Sequence, residues 1–293
     1  MSRAVAPSRW LVTGAGGQLG RAVLALAPVY GVTPIGVTRA ELDVRDAGAV
    51  KRALDERQPD VVLNCAAFTA VDRCESEAAE AERANALAPA LLAQACCGGP
   101  LLVQLSTDFV FDGRASQPVG EDAPTRPLSV YGRTKLRGEE AVRAAAGEHL
   151  IVRTQWLFGA GANFVRTILG AAAKGELRVV EDQIGRPTWS ASLARGIFAA
   201  VAGGARGTLH LANEGVASWF DFAREIAEQG ARRGLCPAVA VRPIPTSEMP
   251  RPATRPAYGV LGLSRARSLG IAPPHWREAL AQYLDAEKEG RDA

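Results

Sequence analysis

Tyr131 and Lys135 stand four residues apart, a spacing that could support proton transfer if the segment is helical. Four residues make about one helical turn, so the phenol and the ammonium would share one face. A lysine beside a tyrosine favours the phenolate and would lower the tyrosine pKa from its ordinary value of about 10. Such a phenol could deliver a proton near neutral pH. The alternative is that both are ordinary surface residues of an amphipathic helix.

A glycine-rich turn near the start of the chain points to a second chemical element. Gly14, Gly17 and Gly20 form Gly-x-x-Gly-x-x-Gly directly after an apolar run. Glycines at such a turn let backbone N–H groups approach a pyrophosphate at the N-terminus of the following helix. Gly16 partly restores the Gly-x-Gly-x-x-Gly spacing of many dehydrogenases. We therefore expect a dinucleotide site; the alternative is a turn that serves only the fold.

The choice of dinucleotide should depend on the end of the second expected strand. An acidic residue there would hold the ribose 2′-OH of NADH, whereas an arginine would favour the 2′-phosphate of NADPH. The chain has Thr38 and Arg39 at this point, and its first acid is Glu41. This favours NADPH, with NADH as the alternative if Arg39 is simply solvated. Asp43 and Val44 could border the adenine pocket.

Apolar runs alternate with helix-prone segments through the first half of the chain. The expected strands are 10–13, 33–38, 60–64, 101–106 and 150–153, and the expected helices are 21–27, 50–58, 78–95 and 132–146. This alternation predicts βαβ units and an α/β fold with a Rossmann-like, doubly wound parallel sheet. Thr107, at the end of the fourth strand, would then join Tyr131 and Lys135. A hydroxyl, a phenol and an ammonium would meet above the nicotinamide.

In the second half of the chain, apolar runs and helix-prone segments alternate less regularly, which predicts a smaller substrate-binding domain. We expect residues 1–158 to form the dinucleotide-binding domain, to which a segment at about 185–215 returns, and residues 159–293 to form most of the smaller domain. Pro, Gly and Arg cluster between residues 237 and 256, and helices are expected at 219–229 and 275–286. This domain should close over the carboxyl edge of the sheet, where such sheets bind ligands.

Composition and charge argue against several other classes of protein. Apolar residues make up 47% and charged residues 22%, as in soluble globular enzymes, and a net charge of +3 gives no support to nucleic-acid binding. Five cysteines without a Cys-x-x-Cys pair and three scattered histidines predict neither a disulfide framework nor a metal site. The lead, residues 1–9, has no signal-peptide core and no window could span a membrane, so we expect a cytoplasmic protein.

Two stretches carry the most specific motifs of the chain. Residues 106–113 have the sequence STDFVFDG, and residues 182–188 have the sequence DQIGRPT. With them, the chain resembles the dTDP-4-dehydrorhamnose reductase family of the extended short-chain dehydrogenase/reductase superfamily. The likeness covers nearly the whole chain, including residues 17–20, 42–44, 59–64, 69–75, 131–135, 153–156, 163–164 and 255–258. It implies NAD(P)H-dependent reduction of the C4 ketone of dTDP-4-dehydro-L-rhamnose to dTDP-L-rhamnose.

The resemblance also implies roles for individual residues. Tyr131 would protonate the C4 oxygen, Lys135 would bind the nicotinamide ribose and keep the tyrosine pKa low, and Thr107 would orient the ketone and stabilise its developing charge. The other cofactor contacts would be Gly14, Gly17, Gln18, Leu19, Gly20, Arg39, Asp43, Val44, Ala66 and Ala67. The substrate contacts would be Thr69, Val71, Asp108, Phe109, Trp156 and Arg255.

Two of these substrate contacts have a specific expected function and a simpler alternative. Trp156 would pack against the deoxysugar, or it is a core aromatic residue. Arg255 suits the substrate pyrophosphate because a guanidinium matches phosphate geometry bidentately, or it is a surface charge. Ala66 and Ala67 follow the third strand, where small residues admit a flat cofactor or simply allow tight helix packing.

Two departures from the family's pattern bear on the substrate. Phe109 stands where the family usually carries Tyr, and Gly259 where it usually carries Ser. Both lie near the expected sugar pocket, which leaves open a 4-ketoreductase for a different nucleotide-linked deoxysugar. A dehydratase that retains NAD is disfavoured because Phe109 occupies the place of its acid/base glutamate.

Two further alternatives concern whether the protein is catalytic and how it assembles. A non-catalytic regulatory subunit of the same fold would be expected to lose Thr107, Tyr131 and Lys135, and all three are present. Some relatives dimerise through a metal held by surface carboxylates. Those ligands cannot be mapped onto this chain, so no metal is expected and a homodimer stays open.

Overall fold

The computed structural model describes residues 8–145 and 147–292, so most of the lead and Ala146, at the end of an expected helix, lie outside the described residues. Its strands are β1 (Ser8–Thr13), β2 (Val32–Val37), β3 (Val61–Asn64), β4 (Leu101–Thr107), β5 (His149–Thr154), β6 (Leu157–Phe158), β7 (Leu177–Val180), β8 (Ile184–Gly185), β9 (Thr188–Trp189), β10 (Gly207–His210), β11 (Ala217–Ser218) and β12 (Val241–Ile244). Its α-helices are α1 (Gln18–Leu26), α2 (Ala47–Arg57), α3 (Val71–Ser76), α4 (Ala78–Glu82), α5 (Ala88–Cys96), α6 (Val130–Ala145), α7 (Phe164–Ala172), α8 (Ser190–Ala202), α9 (Trp219–Arg232), α10 (Ser264–Ser268) and α11 (Trp276–Asp292).

Six strands form one parallel sheet in the order β10-β5-β4-β3-β1-β2. This confirms the predicted α/β class with a parallel sheet. Five of the strands were expected from their apolar runs; β10, at the β5 edge, was not expected as a strand but lies in the segment 185–215 that was expected to return to this part of the chain. The order runs outward in both directions from the β1–β3 pair, and the carboxyl ends of the strands meet at one edge.

Alternate residues of these strands pack against helices on opposite faces of the sheet. Trp10 and Val12 belong to a core with α1 and α8, whereas Leu11, between them, belongs to a core with α2, α5 and α6. Burial on both faces explains why the strands are continuous apolar runs instead of alternating ones.

A separate core holds together the part of the second half that contains α7, α9 and α11. Phe158, Phe222 and Trp276 are fully buried in it, and α7, α9 and α11 surround them. Short two-stranded ladders, β12–β7, β11–β8 and β6–β9, complete this part. The predicted domain boundaries remain a prediction.

The expected helix over residues 78–95 is interrupted by a π-helical turn, Arg83–Leu87. Pro89 follows within α5 and lacks the N–H that would continue regular α-helical bonding. Asn85 lies inside this turn, where its side chain bonds the backbone N–H and C=O of Phe68 at 2.9 and 3.0 Å and the hydroxyl of Thr134 at 3.2 Å. The interruption therefore joins the loop after β3 to α6, the helix that carries Tyr131 and Lys135.

Two further observations concern membrane-spanning helices and metal ligands. No helix in the described ranges has the length and apolar character needed to cross a membrane. Within the same ranges, no three His, Cys, Asp or Glu side chains are grouped as metal ligands would be.

Candidate active site

One cavity of about 820 Å³ lies at the carboxyl edge of the parallel sheet. Its walls follow the ends of β1, β2, β3, β4 and β5, where a ligand of an open α/β sheet is expected. The structure brings together around it every residue that the sequence assigned to the site: Gly14, Gly17, Gln18, Leu19, Gly20, Arg39, Asp43, Val44, Ala66, Ala67, Thr69, Val71, Thr107, Asp108, Phe109, Tyr131, Lys135, Trp156 and Arg255.

Thr107, Tyr131 and Lys135 lie together on one wall of this cavity, and all three are buried. Thr107 ends β4, and its hydroxyl donates to Asp108 Oδ1 at 3.0 Å. Tyr131 and Lys135 are one turn apart on α6, as their spacing predicted. The Lys135 ammonium donates to the Leu105 carbonyl at 2.5 Å, which fixes α6 to the strand that carries Thr107.

Gly132 lets α6 approach the turn after β4. A Cβ at this position would lie 2.2 Å from the carbonyl oxygen of Phe109, which is far inside contact distance. The Phe109 ring meets the Tyr131 ring edge to face, with centroids 5.3 Å apart. The distance between the Tyr131 phenol and Thr107 therefore depends on a glycine that neighbours the tyrosine.

The expectation that Lys135 lowers the pKa of Tyr131 is wrong for this structure. Burial raises the pKa of Tyr131 above its ordinary value of 10.0, and a hydrogen bond with the Thr107 side chain opposes the rise. The physical reason is that a phenolate in a buried wall loses its hydration, and the Lys135 ammonium is turned towards the Leu105 carbonyl. At neutral pH Tyr131 is consequently a protonated phenol.

The Lys135 ammonium is itself poorly solvated. Burial lowers the pKa of Lys135 from 10.5 to about 8, and the negative charge of Glu139 opposes this fall. Glu139 is buried one turn further along α6, where Arg153 binds its carboxylate at 2.7 and 2.9 Å. Ser106, the residue before Thr107, also donates to Glu139.

Asp108 lies buried beside Thr107. Burial raises the pKa of Asp108 from 3.8 to about 7, against the hydrogen bonds from Thr107 and the backbone. A Cβ on Gly259 would meet Asp108 Oδ2 at 2.5 Å. The glycine that departs from the family's usual serine is thus the residue that makes room for this carboxyl group.

The glycine turn has the close packing expected of a dinucleotide site. Gly14 has a φ of +63°, and a Cβ there would lie 2.8 Å from the backbone nitrogen of Ala66. A Cβ on Gly20 would lie 2.5 Å from the Gly14 carbonyl oxygen. Side chains at these positions would fill the turn, and Gly17, the N-cap of α1, lines the cavity together with Gln18 and Leu19 in the first turn of that helix.

At the end of β2, Arg39 is the cation with the most freedom to meet a ligand. Its side chain is 70% exposed and makes only long ion pairs, 3.6 Å to Glu80 and 4.0 Å to Asp43. Arg45, which the sequence did not single out, binds the same two carboxylates at 2.6 and 2.7 Å. Arg45 thereby neutralises the acids that would otherwise repel a phosphate near Arg39.

Arg255, which also lines the cavity, is not a free cation. Its guanidinium forms a bidentate pair with Asp72 at 2.9 and 3.0 Å. The sequence placed Arg255 near the substrate pyrophosphate, and the pair with Asp72 would have to open or share its donors for that contact. Thr69 and Val71 lie at the start of α3, beside this pair.

The structure adds wall residues that the sequence did not suggest. Trp219, the first residue of α9, stacks on Trp156 with ring centroids 3.7 Å apart and planes within 10°. Gln155 donates to the Gly259 carbonyl and accepts from Leu261 N–H, at 2.8 and 3.1 Å. The only sequence signal for Trp219 was a helix start, which does not show which cavity a side chain faces.

Comparison with known proteins places this geometry among nucleotide-sugar reductases. The RmlD substrate binding domain model matches residues 8–289. A dTDP-4-dehydrorhamnose reductase of Streptomyces griseus is 45% identical over 95% of this chain and 93% of its own length. A probable dTDP-4,6-dihydroxy-2-methyloxan-3-one 4-ketoreductase of Streptomyces antibioticus is 44% identical over 94% of each. The crystal structure of the Bacillus anthracis dTDP-4-dehydrorhamnose reductase in complex with NADP is 32% identical, with a TM-score of 0.90 over 95% of this chain and 99% of that one.

Proposed function

We propose that this chain, which belongs to the RmlD substrate binding domain family, is an NADPH-dependent oxidoreductase. It reduces the C4 ketone of dTDP-4-dehydro-L-rhamnose to give dTDP-L-rhamnose. The observation that carries the proposal is the meeting of Thr107, Tyr131 and Lys135 in one cavity with the glycine turn. The choice of cofactor is supported by the Bacillus anthracis reductase, whose crystal structure is a complex with NADP. NADH is the alternative nucleotide.

The residues present fit a dinucleotide because the glycine turn leaves no space for a Cβ at Gly14 or Gly20 and directs the start of α1 at the cavity. NADPH supplies a hydride to C4 when it is bound. Arg39 is placed to meet a ribose phosphate, and Lys135 to donate to a ribose hydroxyl. Arg39 and Lys135, which line the same cavity as Thr107, would in this way hold the two ribose units of the cofactor.

Side chains of the protein supply the proton and stabilise the charge that develops on the ketone oxygen. Thr107 has a single O–H, so its hydroxyl turns from Asp108 Oδ1 to donate to the ketone oxygen, which orients C4 and stabilises the negative charge that forms there. Tyr131 releases its phenolic proton to the same oxygen as the C–H bond forms, so the ketone becomes an alcohol. The phenolate left behind lies one helical turn from Lys135 on α6, and Asp108 borders the same hydroxyl network.

The high pKa of Tyr131 suits this role as an acid. A phenol that keeps its proton at neutral pH is always available to the substrate, and the alkoxide that forms during hydride transfer is a strong enough base to take it.

A reductase for a different nucleotide-linked deoxysugar is the second candidate function. It is favoured by the 44% identity to the 4-ketoreductase of Streptomyces antibioticus and by Phe109 and Gly259 in the cavity region. The chemistry would be the same. A non-catalytic regulatory subunit is disfavoured because the three reactive side chains are present and buried together.

The location and partners of the protein follow from the same proposal. A dTDP-linked 4-keto-6-deoxysugar would be its small-molecule partner, without nucleic acid or membrane. The Cys65, Cys74 and Cys96 side chains are thiols, as expected in a reducing compartment, which supports the cytoplasm.

The test is an assay of NADPH oxidation with dTDP-4-dehydro-L-rhamnose, run in parallel with a C4-keto stereoisomer and with NADH. Turnover of the rhamnose precursor supports the assignment, whereas turnover of the stereoisomer alone would select the second candidate. Tyr131→Phe should lower kcat by about 10²- to 10⁴-fold while NADPH affinity stays nearly the same. Tyr283→Phe is the matched control, because Tyr283 is a buried tyrosine of α11 in the other core. Unchanged turnover in Tyr131→Phe would refute the assigned role.

A further inference from the structure

Trp156 has a backbone conformation that bulky residues rarely adopt. Its φ is +46°, in the left-handed region. A large side chain remains there only when the surrounding structure holds it. Trp156 lines the cavity directly after β5, so whatever holds its backbone also fixes the direction of an indole in the sugar-binding wall.

Two neighbours from the second half of the chain enclose the Trp156 ring. Trp219 stacks on it nearly parallel, at a centroid distance of 3.7 Å. A Cβ on Gly185 would lie 2.6 Å from Trp156 Cε2, so only a glycine leaves room for the ring. The two neighbours are linked, because β8 and β11 pair Gly185 with Ala217, two residues before Trp219.

The Trp219 backbone is held firmly at the start of α9. It is the first residue of α9, where Ser218 and Asp221 form a reciprocal capping box with contacts of 2.9 and 3.1 Å. Its ring also meets Phe164 at 4.5 Å between centroids, and Phe222 is fully buried in the core behind it. Trp219 therefore holds the Trp156 ring at a set position relative to that core.

We propose that Trp219 is a positioning and specificity-determining residue, which holds the Trp156 indole as an apolar wall against the deoxysugar. The inference rests on the proposed function for the identity of the ligand. An aromatic face packs well against the C–H groups of a sugar ring, and a stacked pair resists rotation better than a single indole does. Gly185 of the DQIGRPT motif completes the arrangement by leaving the ring its space.

The test compares Trp219→Phe and Trp219→Leu with Trp189→Phe as the matched control. Trp189 is a partly buried indole beside the same core and does not line the cavity. We expect Trp219→Leu to raise the KM for the sugar nucleotide about threefold to tenfold, the range that corresponds to an aromatic pair. The KM for NADPH should stay within about twofold in all three variants, because most of the residues assigned to the cofactor follow β1, β2 and β3, whereas Trp219 belongs to α9.

Circular dichroism gives a readout that needs no substrate. Two stacked indoles produce a coupled pair of bands of opposite sign in the tryptophan region, which should vanish in both Trp219 variants and persist in Trp189→Phe. A Trp219→Leu protein that loses this signal and keeps the sugar KM would overturn the inference. Equal rises in both KM values would also overturn it, since they indicate a general structural defect. Trp219→Phe keeps an aromatic ring in the core if the leucine variant fails to fold.

Failure of the proposed function would be seen separately. If the unaltered protein does not turn over dTDP-4-dehydro-L-rhamnose, calorimetric titration with dTDP-L-rhamnose decides the role of Trp219. Weaker binding to Trp219→Leu than to the unaltered protein supports the inference, and equal or absent binding overturns it.

Discussion

Lys135→Met should make the protein more stable near neutral pH while it removes activity. The Lys135 side chain is buried, and burial lowers its pKa from 10.5 to about 8. The folded protein therefore holds an ammonium in a place that disfavours charge. Methionine has a similar length and no charge, so it removes that cost and leaves the packing of the stem nearly unchanged.

The sign and size of the effect follow from the two pKa values. Below pH 8 both the folded and unfolded states carry the proton, and the folded state is disfavoured by about 3 kcal/mol, at about 1.4 kcal/mol per pKa unit. As pH rises from 8 to 10.5 the folded state loses its proton first, and the cost disappears. Loss of the hydrogen bond to Leu105 subtracts about 1 kcal/mol at every pH. Lys135→Met should thus be about 2 kcal/mol more stable at pH 7 and slightly less stable above pH 10.5.

The assay is urea unfolding of the original protein and the variant at several pH values between 7 and 10.5. Other titrating groups are common to both proteins and largely cancel in the difference; the nearby Cys65 thiol, whose pKa burial raises to about 12, titrates above this window. Lys51→Met, at an exposed position of α2, is the control for the removal of a lysine that is not buried. A stability difference that does not change with pH, or that grows as pH rises, would refute the reasoning.

Three other substitutions test the geometry of the cavity. Gly132→Ala should lower kcat/KM about 10- to 100-fold, because its Cβ would lie 2.2 Å from a carbonyl oxygen and must displace α6; Gly170→Ala on α7, where a Cβ meets nothing within 4 Å, should keep full activity. Arg39→Ala should raise the KM for NADPH about tenfold or more and leave that for NADH unchanged, which steady-state kinetics with each nucleotide would check. Gly259→Ser should alter the KM for the sugar nucleotide more than that for NADPH, because it displaces Asp108; identical sugar KM values would count against this packing.

Features that depend only on neighbouring residues could be predicted from the amino-acid sequence. Apolar runs gave five of the six parallel strands, the glycine spacing gave the turn after β1, and the spacing of Tyr131 and Lys135 placed them on one helical face. These features follow from local backbone geometry, which is the same wherever the segment lies. The parallel sheet then gathers strand ends at one edge, so all the predicted site residues line one cavity, while their roles stay predictions.

Features that depend on burial and on contacts between distant segments could be seen only in the folded protein. The raised pKa of Tyr131 contradicts the expectation from Lys135, because the buried wall removes water from the phenol. Trp219 faces Trp156 across 63 positions of the chain, and its ring direction is set by the core of another part of the fold. Sequence spacing fixes which side chains share an element, but desolvation and packing exist only when separate elements meet.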